Sequence, residues 1–576
     1  MVTVVSSTGE VHAPVCKYVL RQRAQRLFAI TGLVVAVSTV ALTRSIMPFE
    51  LALAAASWAV TVLPVFLLRR YNLQLRRTTE PTQRAFVRAL AGRAKTWEHL
   101  GLMAASGAAE GVIYVMAVYS NAYDDPKLTP FAPSKRHAQH LNERFVFLLL
   151  CLSSAGALYA ARDQLRQRFV VRWAPKSHKT VGIAIRSRIA GTLLRVFAVS
   201  VLFPAFFHIL YLTFRIPTIR ILLRVFPFLR PTISLFLRRP GDVWSLHLYQ
   251  LAVSALFKLS LAWSTTHVLF DAYTSHPPHI APHIAPATIP GALVKGVENT
   301  EMHGYFAHLA WLDVARMRAP ERRALFADPP LWAALVRSAL LKLGRDYQLL
   351  LRRGAPAPAP APPPKAPAVP PATPSKPAAL APASAAYKPA SSPLRALADD
   401  GAVTRALTAV PDVFLDSPHV QKAVGKIKEH LPDTSAYAKA IVAAPQRRVE
   451  PFVALPPRAL ALWGAPFPDA DGDKWAPDAR TDAAIVDALT RLVAASLEED
   501  ALGTVQRDVP RVLEALCALL DAAEDAQAAG GRPVAVLADA LRSGIQLVCA
   551  TFGDRMRAFR VPVRTASKLQ GFVDYL

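Results

Sequence analysis

The chain of 576 residues is 52% hydrophobic, and its 67 lysines and arginines against 41 acidic residues give a formal net charge of +26. Residues 354–576 hold 24 basic and 24 acidic residues, so the whole excess lies in residues 1–353. This charge flanks long apolar stretches instead of forming one soluble basic face, which argues against nucleic-acid binding and for contact with anionic lipid headgroups. Four cysteines without a paired spacing exclude a disulfide framework and favour a reducing compartment.

Six apolar stretches in the first half of the chain predict six membrane-spanning helices. A bilayer core about 30 Å thick needs about 20 helical residues, and most of the stretches reach or approach that length. The stretches are Leu27–Ile46, Phe49–Leu68, His99–Tyr119, Phe145–Ala161, Leu193–Phe214 and Trp244–Phe270. The first is too long for a signal peptide and no small-residue cleavage site follows it, so we expect it to be retained.

The basic residues between these stretches predict the topology. Segments 69–98 and 162–192 each hold eight basic residues, whereas the turn at Arg44 is short and segment 120–144 is mixed in charge. Basic loops lie preferentially on the cytoplasmic side of a membrane. We therefore expect the N-terminus on the cytoplasmic side, and an even number of spans returns the C-terminal half to the same cytoplasmic or nucleoplasmic side.

Arg215–Arg239 does not fit this alternation, because it should lie on the far side and yet carries six arginines and three prolines. We interpret it as an interfacial segment, with apolar side chains at the acyl boundary and Arg220, Arg224 and Arg230 among anionic headgroups. A seventh span over 216–237 is the alternative. It would place two of these arginines deep in hydrocarbon and would move the C-terminal half across the membrane.

Glu110 and Lys258 each fall near the middle of a predicted span. Charges inside a bilayer are costly and usually face a helix bundle or a water-filled cavity, and the opposite signs predict that these two side chains pair. In the alternative interpretation each residue lines a helix interface by itself, or one span is offset in depth. A polytopic transporter that uses the pair is the main alternative function, although the spans lack the internal pseudo-symmetry of many transporters.

Two stretches resemble metal sites. His276, His279 and His283 lie in a loop rich in histidine and proline over residues 272–299, but the prolines give no fixed helical face and no cysteine or carboxylate is close. This favours a loop over a zinc site. Asp469–Asp473 resembles a calcium-binding loop without the glutamate at its twelfth position, which favours a solvated turn.

No phosphate-binding loop, nucleophile elbow, zinc-protease helix or dinucleotide fingerprint occurs in a suitable context. We therefore expect a protein that is not an enzyme, with no cofactor, no metal and no small-molecule substrate. A membrane-bound lipid-modifying enzyme would need a cluster of histidine and aspartate at the interface, and the sequence contains none that fits.

The second half of the chain begins with a membrane-proximal pair of helices over residues 300–353, Tyr305–Arg318 and one that starts at about Pro329. Residues 354–393 are almost entirely alanine, proline, serine and lysine, a composition that predicts an extended linker. Residues 394–576 show helical periodicity. It is clearest in Asp482–Asp500, Asp508–Asp525 and Pro533–Phe552. The predicted fold class is all-α, with a six-span membrane domain over residues 1–271 and a C-terminal soluble α-helical domain.

Two sequence motifs flank the linker. The first, "ERRALFADPPLWAALVRSALL" (Glu321–Leu341), has paired arginines, Phe-x-Asp and a tryptophan before an amphipathic helix. The second, "LVAASLEEDALGTVQRDVPRVLEAL" (Leu492–Leu516), has Ser-Leu-x-x-Asp and Gly-x-Val-Gln-x-Asp-x-Pro. Together with the spans and the helical second half, they make the chain similar to the Ndc (nuclear division cycle) family of transmembrane nucleoporins. The matching positions are Arg322, Arg323, Phe326, Asp328, Trp332, Ser496, Asp500, Gly503, Gln506, Asp508 and Pro510.

The resemblance implies a structural protein of the nuclear envelope that anchors the nuclear pore complex in the pore membrane, binds other nucleoporins and, in fungi, helps to insert spindle pole bodies. Both termini would face the cytoplasm or nucleoplasm. We expect Phe326 and Trp332 to pack the two membrane-proximal helices together. We also expect the helical domain beyond Ser392 to be tethered by the linker and not docked onto the membrane half.

Overall fold

The structure, a computed structural model, describes residues 12–44, 46–78, 80, 82–121, 128–131, 141–173, 181–225, 233, 243, 245–278, 280, 283–298, 304–355, 474–531 and 534–573. These residues form helices and turns, and no β-strand occurs among them. The helices of the first half are α1 (His12–Thr43), α2 (Pro48–Tyr71), α3 (Gln83–Ala91), α4 (Ala94–Asn121), α5 (Glu143–Leu165), α6 (Val181–Val225) and α7 (Leu246–Ser275). Those that follow are α8 (Ile289–Glu298), α9 (Tyr305–Val314), α10 (Ala319–Phe326), α11 (Pro329–Leu351), α12 (Ala479–Glu499), α13 (Val509–Ala528), α14 (Ala535–Phe552) and α15 (Val563–Val573).

Six helices of the described chain are long and apolar enough to cross a membrane. Five of them, α1, α2, α4, α5 and α6, contain the first five predicted spans. The sixth, Ala535–Ala558, lies in the C-terminal part, where its apolar residues are buried among neighbouring helices. The sixth predicted span lies in α7, which carries Lys258 and His267 and is not one of these six helices, yet α7 packs against α1, α2, α5 and α6. We assign α7 together with α1, α2, α4, α5 and α6 to the membrane, and the predicted fold class is confirmed.

Glycines let α4 and α5 approach each other closely. A Cβ atom added to Gly107 of α4 would collide with the carbonyl oxygen of Leu152, and one added to Gly156 of α5 would collide with that of Met103. Gly111, four residues after Gly107, also faces α5. Small residues at this spacing allow membrane helices to make extensive van der Waals contact. The spacing is a packing signal that is readable in the sequence and was missed above.

Helices α8 to α15 form one compact unit, here called the C-terminal body. A single hydrophobic core runs through it and takes one or more fully buried side chains from most of its helices. Examples are Leu293 of α8, Trp332 of α11, Leu489 of α12, Leu516 of α13 and Leu541 of α14. The helices on both sides of the linker therefore share one core, because the amphipathic faces of α12 and α13 find their apolar partners on α9, α10 and α11.

The C-terminal body is docked against one end of the membrane bundle. Val15 and Cys16, in the first turns of α1, belong to its core. The hydroxyl group of Tyr305 in α9 donates a hydrogen bond of 2.9 Å to the carbonyl oxygen of Thr274, near the end of α7. The start of α1 and the end of α7 thus lie on the same side of the bundle as the body. The expectation of a tethered, undocked domain is wrong for residues 474–573.

The three clearest helical segments of the second half are confirmed as α12, α13 and α14. The membrane-proximal region differs from the prediction, because it contains three helices and not two. The extra helix, α10, begins at Ala319-Pro320, directly after the predicted helix Tyr305–Arg318 and in a segment where no helix was predicted. Proline suits the first turn of a helix, and the Glu321 carboxylate accepts a hydrogen bond of 2.9 Å from the backbone N–H of Arg318 at this point. The domain boundaries between 356 and 473 lie outside the described residues and stay predictions.

Candidate functional site

The two charged residues predicted inside spans lie next to each other. Nζ of Lys258 on α7 is 3.0 Å from Oε1 of Glu110 on α4, and the side chains are 5% and 0% exposed. Ser57 of α2 donates a hydrogen bond of 2.8 Å to the other carboxylate oxygen. The lysine contact is an ion pair whose angle falls outside that of a hydrogen bond. The Glu110 carboxylate therefore contacts side chains of both α2 and α7 inside the bundle. This arrangement fits a structural contact that holds the three helices together.

Further buried ion pairs join the membrane helices, and the sequence analysis missed them. Arg215 of α6 donates two hydrogen bonds to Glu143 at the start of α5, one of them 2.6 Å long, and Tyr211 donates a third of 3.1 Å. Arg69, near the end of α2, donates a hydrogen bond to Asp271 of α7. All of these charged groups lie at the edges of predicted spans. Oppositely charged residues at the ends of the predicted spans could have indicated such pairs. The sequence alone does not show which span ends are neighbours in space.

The segment that we interpret as interfacial begins inside α6, which continues to Val225. Arg215 is buried against Glu143, so the expectation that it lies among lipid headgroups is wrong. Arg220 and Arg224 are exposed on the last turns of α6. Arg230 lies outside the described residues. Contact of these three arginines with anionic headgroups stays a prediction, and the seventh span stays its alternative.

The two sequence motifs meet in space although the linker separates them in the chain. Arg322 of α10 makes a two-pronged contact with Glu499 at the end of α12, with Nε–Oε2 and Nη2–Oε1 distances of 2.8 and 2.5 Å. A third N–H group donates 2.7 Å to the carbonyl oxygen of Met317. Paired charge-assisted hydrogen bonds of this kind fix geometry as well as adding energy, and the Glu499 carboxylate raises the pKa of Arg322. Arg323, the next residue, is exposed.

Trp332 makes the second contact between the motifs. Its ring is 1% exposed, and its indole N–H donates a hydrogen bond of 3.0 Å to Asp508, directly before α13. The Phe326 ring meets it edge-on with centroids 5.9 Å apart. These two rings pack the additional helix α10 against α11, whereas we expected them to join the two predicted helices. Asp328 caps α11 by accepting a hydrogen bond from the backbone N–H of Leu331. We call the Arg322–Glu499 and Trp332–Asp508 contacts the motif clamp.

The other residues of the second motif shape the loop between α12 and α13. Ser496 is fully buried and donates 2.7 Å to a backbone carbonyl of its own helix. Asp500 accepts hydrogen bonds of 2.7 and 3.2 Å from two backbone N–H groups of the loop. Gly503 has a φ of +65°, a conformation that favours glycine, and Pro510 occupies the first turn of α13. Gln506 is half-buried in the same loop.

Aromatic and charged contacts complete the joint between the bundle and the C-terminal body. Trp173, in the loop after α5, stacks on Tyr305 and His308 of α9 with ring centroids 5.4 and 3.6 Å apart. Arg76, in the loop after α2, donates hydrogen bonds of 2.9 and 2.7 Å to Asp478. Burial lowers the pKa of His308 to about 3, so this stacked ring is neutral at physiological pH.

The sequence model of one family, described as nucleoporin protein Ndc1-Nup, matches residues 18–570. The chain belongs to this family. The match spans the membrane bundle, the motif clamp and nearly all of the C-terminal body, so the resemblance to transmembrane nucleoporins is confirmed. The family is structural, and the chain is accordingly a nucleoporin of the nuclear-envelope membrane that interacts with other nucleoporins. A comparison with curated proteins gives no match.

This nucleoporin contains a buried carboxyl cluster where α11 and α12 meet. Asp482 is fully buried, and its carboxyl group faces that of Asp346, with which it can share a proton in a hydrogen bond. Nζ of Lys342 lies 2.9 Å from Asp346 and 2.5 Å from Asp478. Burial raises the pKa of Asp482 well above its usual range, and the neighbouring Asp346 carboxylate adds to the effect. Asp482 thus keeps its proton at pH values where an exposed aspartate loses it.

In the histidine-rich loop of this Ndc family member, His276 and His283 contact different parts of the structure. Nδ1 of His276 donates a hydrogen bond of 2.9 Å to a backbone carbonyl of α7, and the ring of His283 lies 5.5 Å from that of Tyr18. His279 and Asp469–Asp473 lie outside the described residues. Across the part of the chain that the structure describes, no cluster of three potential metal ligands occurs.

Proposed function

We propose that this chain anchors the nuclear pore complex in the pore membrane, with six spans in the bilayer and the C-terminal body presented to soluble nucleoporins. The observation that carries the proposal is the motif clamp. The residues that mark the family hold the C-terminal body together, and that body is docked at the end of the bundle. Recruitment to a membrane calls for a binding surface at a fixed distance from the bilayer, and a docked body supplies one.

The C-terminal body faces the cytoplasm or nucleoplasm in this proposal. The joint involves the loops after α2 and α5, which lie in the strongly basic segments 69–98 and 162–192, and basic loops favour the cytoplasmic side. Residues 354–576 carry equal numbers of acidic and basic residues, as suits protein contacts better than lipid contacts. At the far end of α6, Arg220 and Arg224 contact anionic headgroups. We extend the proposal to pore assembly and to the insertion of spindle pole bodies, both of which the family resemblance implies.

Charge reversal across the motif clamp tests the proposal in the full-length, tagged chain. Arg322→Glu and Glu499→Arg each place like charges opposite one another, whereas the double variant restores an ion pair of reversed polarity. We expect each single variant to stay at the nuclear envelope but to recruit less soluble nucleoporin, and the double variant to recover recruitment. Arg557→Glu is the matched control, because Arg557 is 89% exposed and far from the clamp in the chain.

Three outcomes would contradict parts of the proposal. Normal recruitment by both single variants would show that the clamp does not position the recruiting surface. A single variant that spreads over the peripheral endoplasmic reticulum would show that the C-terminal body directs targeting instead of recruitment. A tag after Leu576 that is protected from protease in sealed microsomes would place the C-terminus in the lumen and favour a seventh span.

A further inference from the structure

A cavity of about 810 Å³ lies at the joint between the membrane bundle and the C-terminal body. The loops after α2 and α5, the helices α9 and α11, and the start of α12 surround it. Sites for small molecules commonly have volumes of about 300–1,000 Å³. Besides Arg76, six arginines from four separate segments line the cavity: Arg77, Arg166, Arg172, Arg337, Arg345 and Arg480.

The carboxylates of the lining do not balance this charge. Among the residues that the structure describes, the lining contains Arg76 and Lys342 besides the six arginines, and its acidic residues are Asp478 and Glu298. Asp478 is already bound to Arg76 and Lys342. Its negative charge is therefore shared by two cations, and the described lining holds more basic than acidic side chains. A cleft lined by charge of one sign concentrates ligands of the opposite sign.

Four of the arginines point to an absent ligand more directly. The guanidinium groups of Arg166, Arg172, Arg337 and Arg345 make no hydrogen bond or ion pair with another residue that the structure describes. All four side chains are exposed at the cavity. The fold thus brings like charges together from the bundle and from α11 without neutralising them. An anionic ligand would remove this repulsion and would use donors that the protein leaves unused.

The chemistry of the donors selects the anion. A guanidinium group offers paired N–H donors that match two oxygens of a phosphate, and several such groups facing one space fit a ligand with more than one phosphate. Arg77 and Arg166 follow closely on the ends of α2 and α5, which places this side of the cavity at the level of the lipid headgroups. We propose that the cavity binds clustered phosphate groups, supplied by the headgroup of a phosphorylated inositol lipid in the surrounding bilayer.

This site is separate from the exposed arginines of α6 and is not required for the anchoring role. A ligand in the cavity would touch the loops of the bundle, α11 and the start of α12 at once. Binding to the docked arrangement alone would stabilise it by mass action. Lipid composition would then control how firmly the C-terminal body is held against the bundle. A soluble inositol polyphosphate has the same chemistry, and the experiment must distinguish the two sources.

The test uses the full chain in phosphatidylcholine nanodiscs with two probes. Inositol trisphosphate is added in solution and its binding is measured by calorimetry, and phosphatidylinositol bisphosphate is included in the discs and its effect on thermal unfolding is measured. The cavity variant is Arg337→Gln with Arg345→Gln. The control variant is Arg555→Gln with Arg560→Gln, which removes the same charge from exposed positions outside the cavity.

We expect the cavity variant to bind inositol trisphosphate at least about tenfold more weakly, since each charge-assisted hydrogen bond that is lost is worth about tenfold in affinity. We expect it also to lose the thermal stabilisation by the lipid, while the control variant changes neither result. Stabilisation by the lipid without binding of the soluble probe supports the headgroup source. Binding of the soluble probe without stabilisation by the lipid supports the phosphate chemistry but overturns the lipid source.

Equal losses in the cavity and control variants would overturn the proposal, because they would mean that binding follows net charge and not this cavity. Absence of binding by both probes to the unmodified chain would overturn it as well. A folding check uses Cys517, whose thiol is buried. If a thiol reagent labels it no faster in the cavity variant than in the unmodified chain, the C-terminal body of the variant is folded. None of these measurements uses the localisation of the chain in cells, so failure here is distinguishable from failure of the anchoring proposal.

Discussion

Removing either charge of the buried Glu110–Lys258 pair should destabilise the membrane bundle more than removing both. Glu110→Gln keeps an oxygen that can accept the hydrogen bond from Ser57, and Lys258→Met keeps most of the side-chain volume. Each single variant leaves one charge in a site with almost no solvent exposure. The double variant leaves none, so the penalty of an uncompensated charge disappears.

The magnitude follows from the separation of 3.0 Å between Nζ and Oε1. With an effective dielectric constant of about 20, the Coulomb attraction at this distance is about 5.5 kcal/mol before the cost of desolvation is subtracted. Breaking buried ion pairs in soluble proteins costs about 3–5 kcal/mol, whereas polar contacts between membrane helices contribute up to about 1.7 kcal/mol. We therefore expect each single variant to cost about 2 kcal/mol, with a coupling energy of about 3 kcal/mol in the double-mutant cycle, so that the double variant costs only about 1 kcal/mol.

The buried cysteines of the chain provide the assay. All four are buried, and Cys151 lies within α5, which packs on α4. In a chain that keeps only this cysteine, the rate of labelling by a thiol reagent during heating reports unfolding of the bundle. Lys95→Met with Glu98→Gln is the control, since both residues are exposed near the start of the same helix as Glu110. Single-variant effects that simply add in the double variant would refute the reasoning, because they would show that the two charges do not interact.

Three further predictions concern packing and charge. Gly107→Ala should destabilise the bundle by about 1–3 kcal/mol, because its methyl group would collide with α5, whereas Gly101→Ala, with open space around it, should be neutral in the same thiol assay. The pKa of Asp482 is raised in the folded body, so the folded state binds a proton that the unfolded chain releases near pH 4, and stability should fall as pH rises above that value. Asp482→Asn, which mimics the protonated acid beside Asp346, should be more stable than the unmodified chain at pH 8 and similar at pH 4 in thermal melts. Trp332→Phe should lower the melting midpoint of the body, since it leaves a carboxylate on the second motif without its indole donor; an unchanged midpoint would contradict a role for that bond.

The spans were predictable because a membrane helix is specified by local properties. Length and apolarity alone locate α1, α2, α4, α5 and α6, although α1 begins well before its predicted stretch and α6 extends well beyond its stretch at both ends. Cost arguments identify Glu110 and Lys258 as functional or structural candidates. The apolar stretch Trp244–Phe270 predicted α7 as well, and the packing of α7 against α1, α2, α5 and α6 establishes its position in the bundle. Ala535–Ala558 shows the limit of such local properties, because it is apolar enough to span and is instead buried among soluble helices.

The motif clamp was only half predictable. The two motifs were recognised as belonging together in one family, and Phe326 and Trp332 were expected to touch. Nothing local indicates that Arg322 reaches Glu499, since the two residues are 177 positions apart. Pairing over such a separation depends on the path of the whole chain. The same limit applies to Arg215, whose partner Glu143 lies on another helix, and to the basic cavity, whose arginines come from four segments.

The composition of the linker predicted a tether. The described residues on either side of segment 356–473 show why that prediction fails. Gly354 lies directly against Lys474, and the guanidinium group of Arg353 lies 6.0 Å from the ring centre of Trp475. The described residues before 356 and after 473 therefore lie next to each other in the C-terminal body. The entropic cost of closing such an insertion grows only logarithmically with its length, by about 0.6 kcal/mol for each doubling. A long insertion is thus compatible with docking, because the shared core and the motif clamp oppose a closure cost that depends only weakly on the length of the insertion. The composition of a linker indicates its stiffness and reach. It does not indicate how far apart the two joined segments lie in the folded protein.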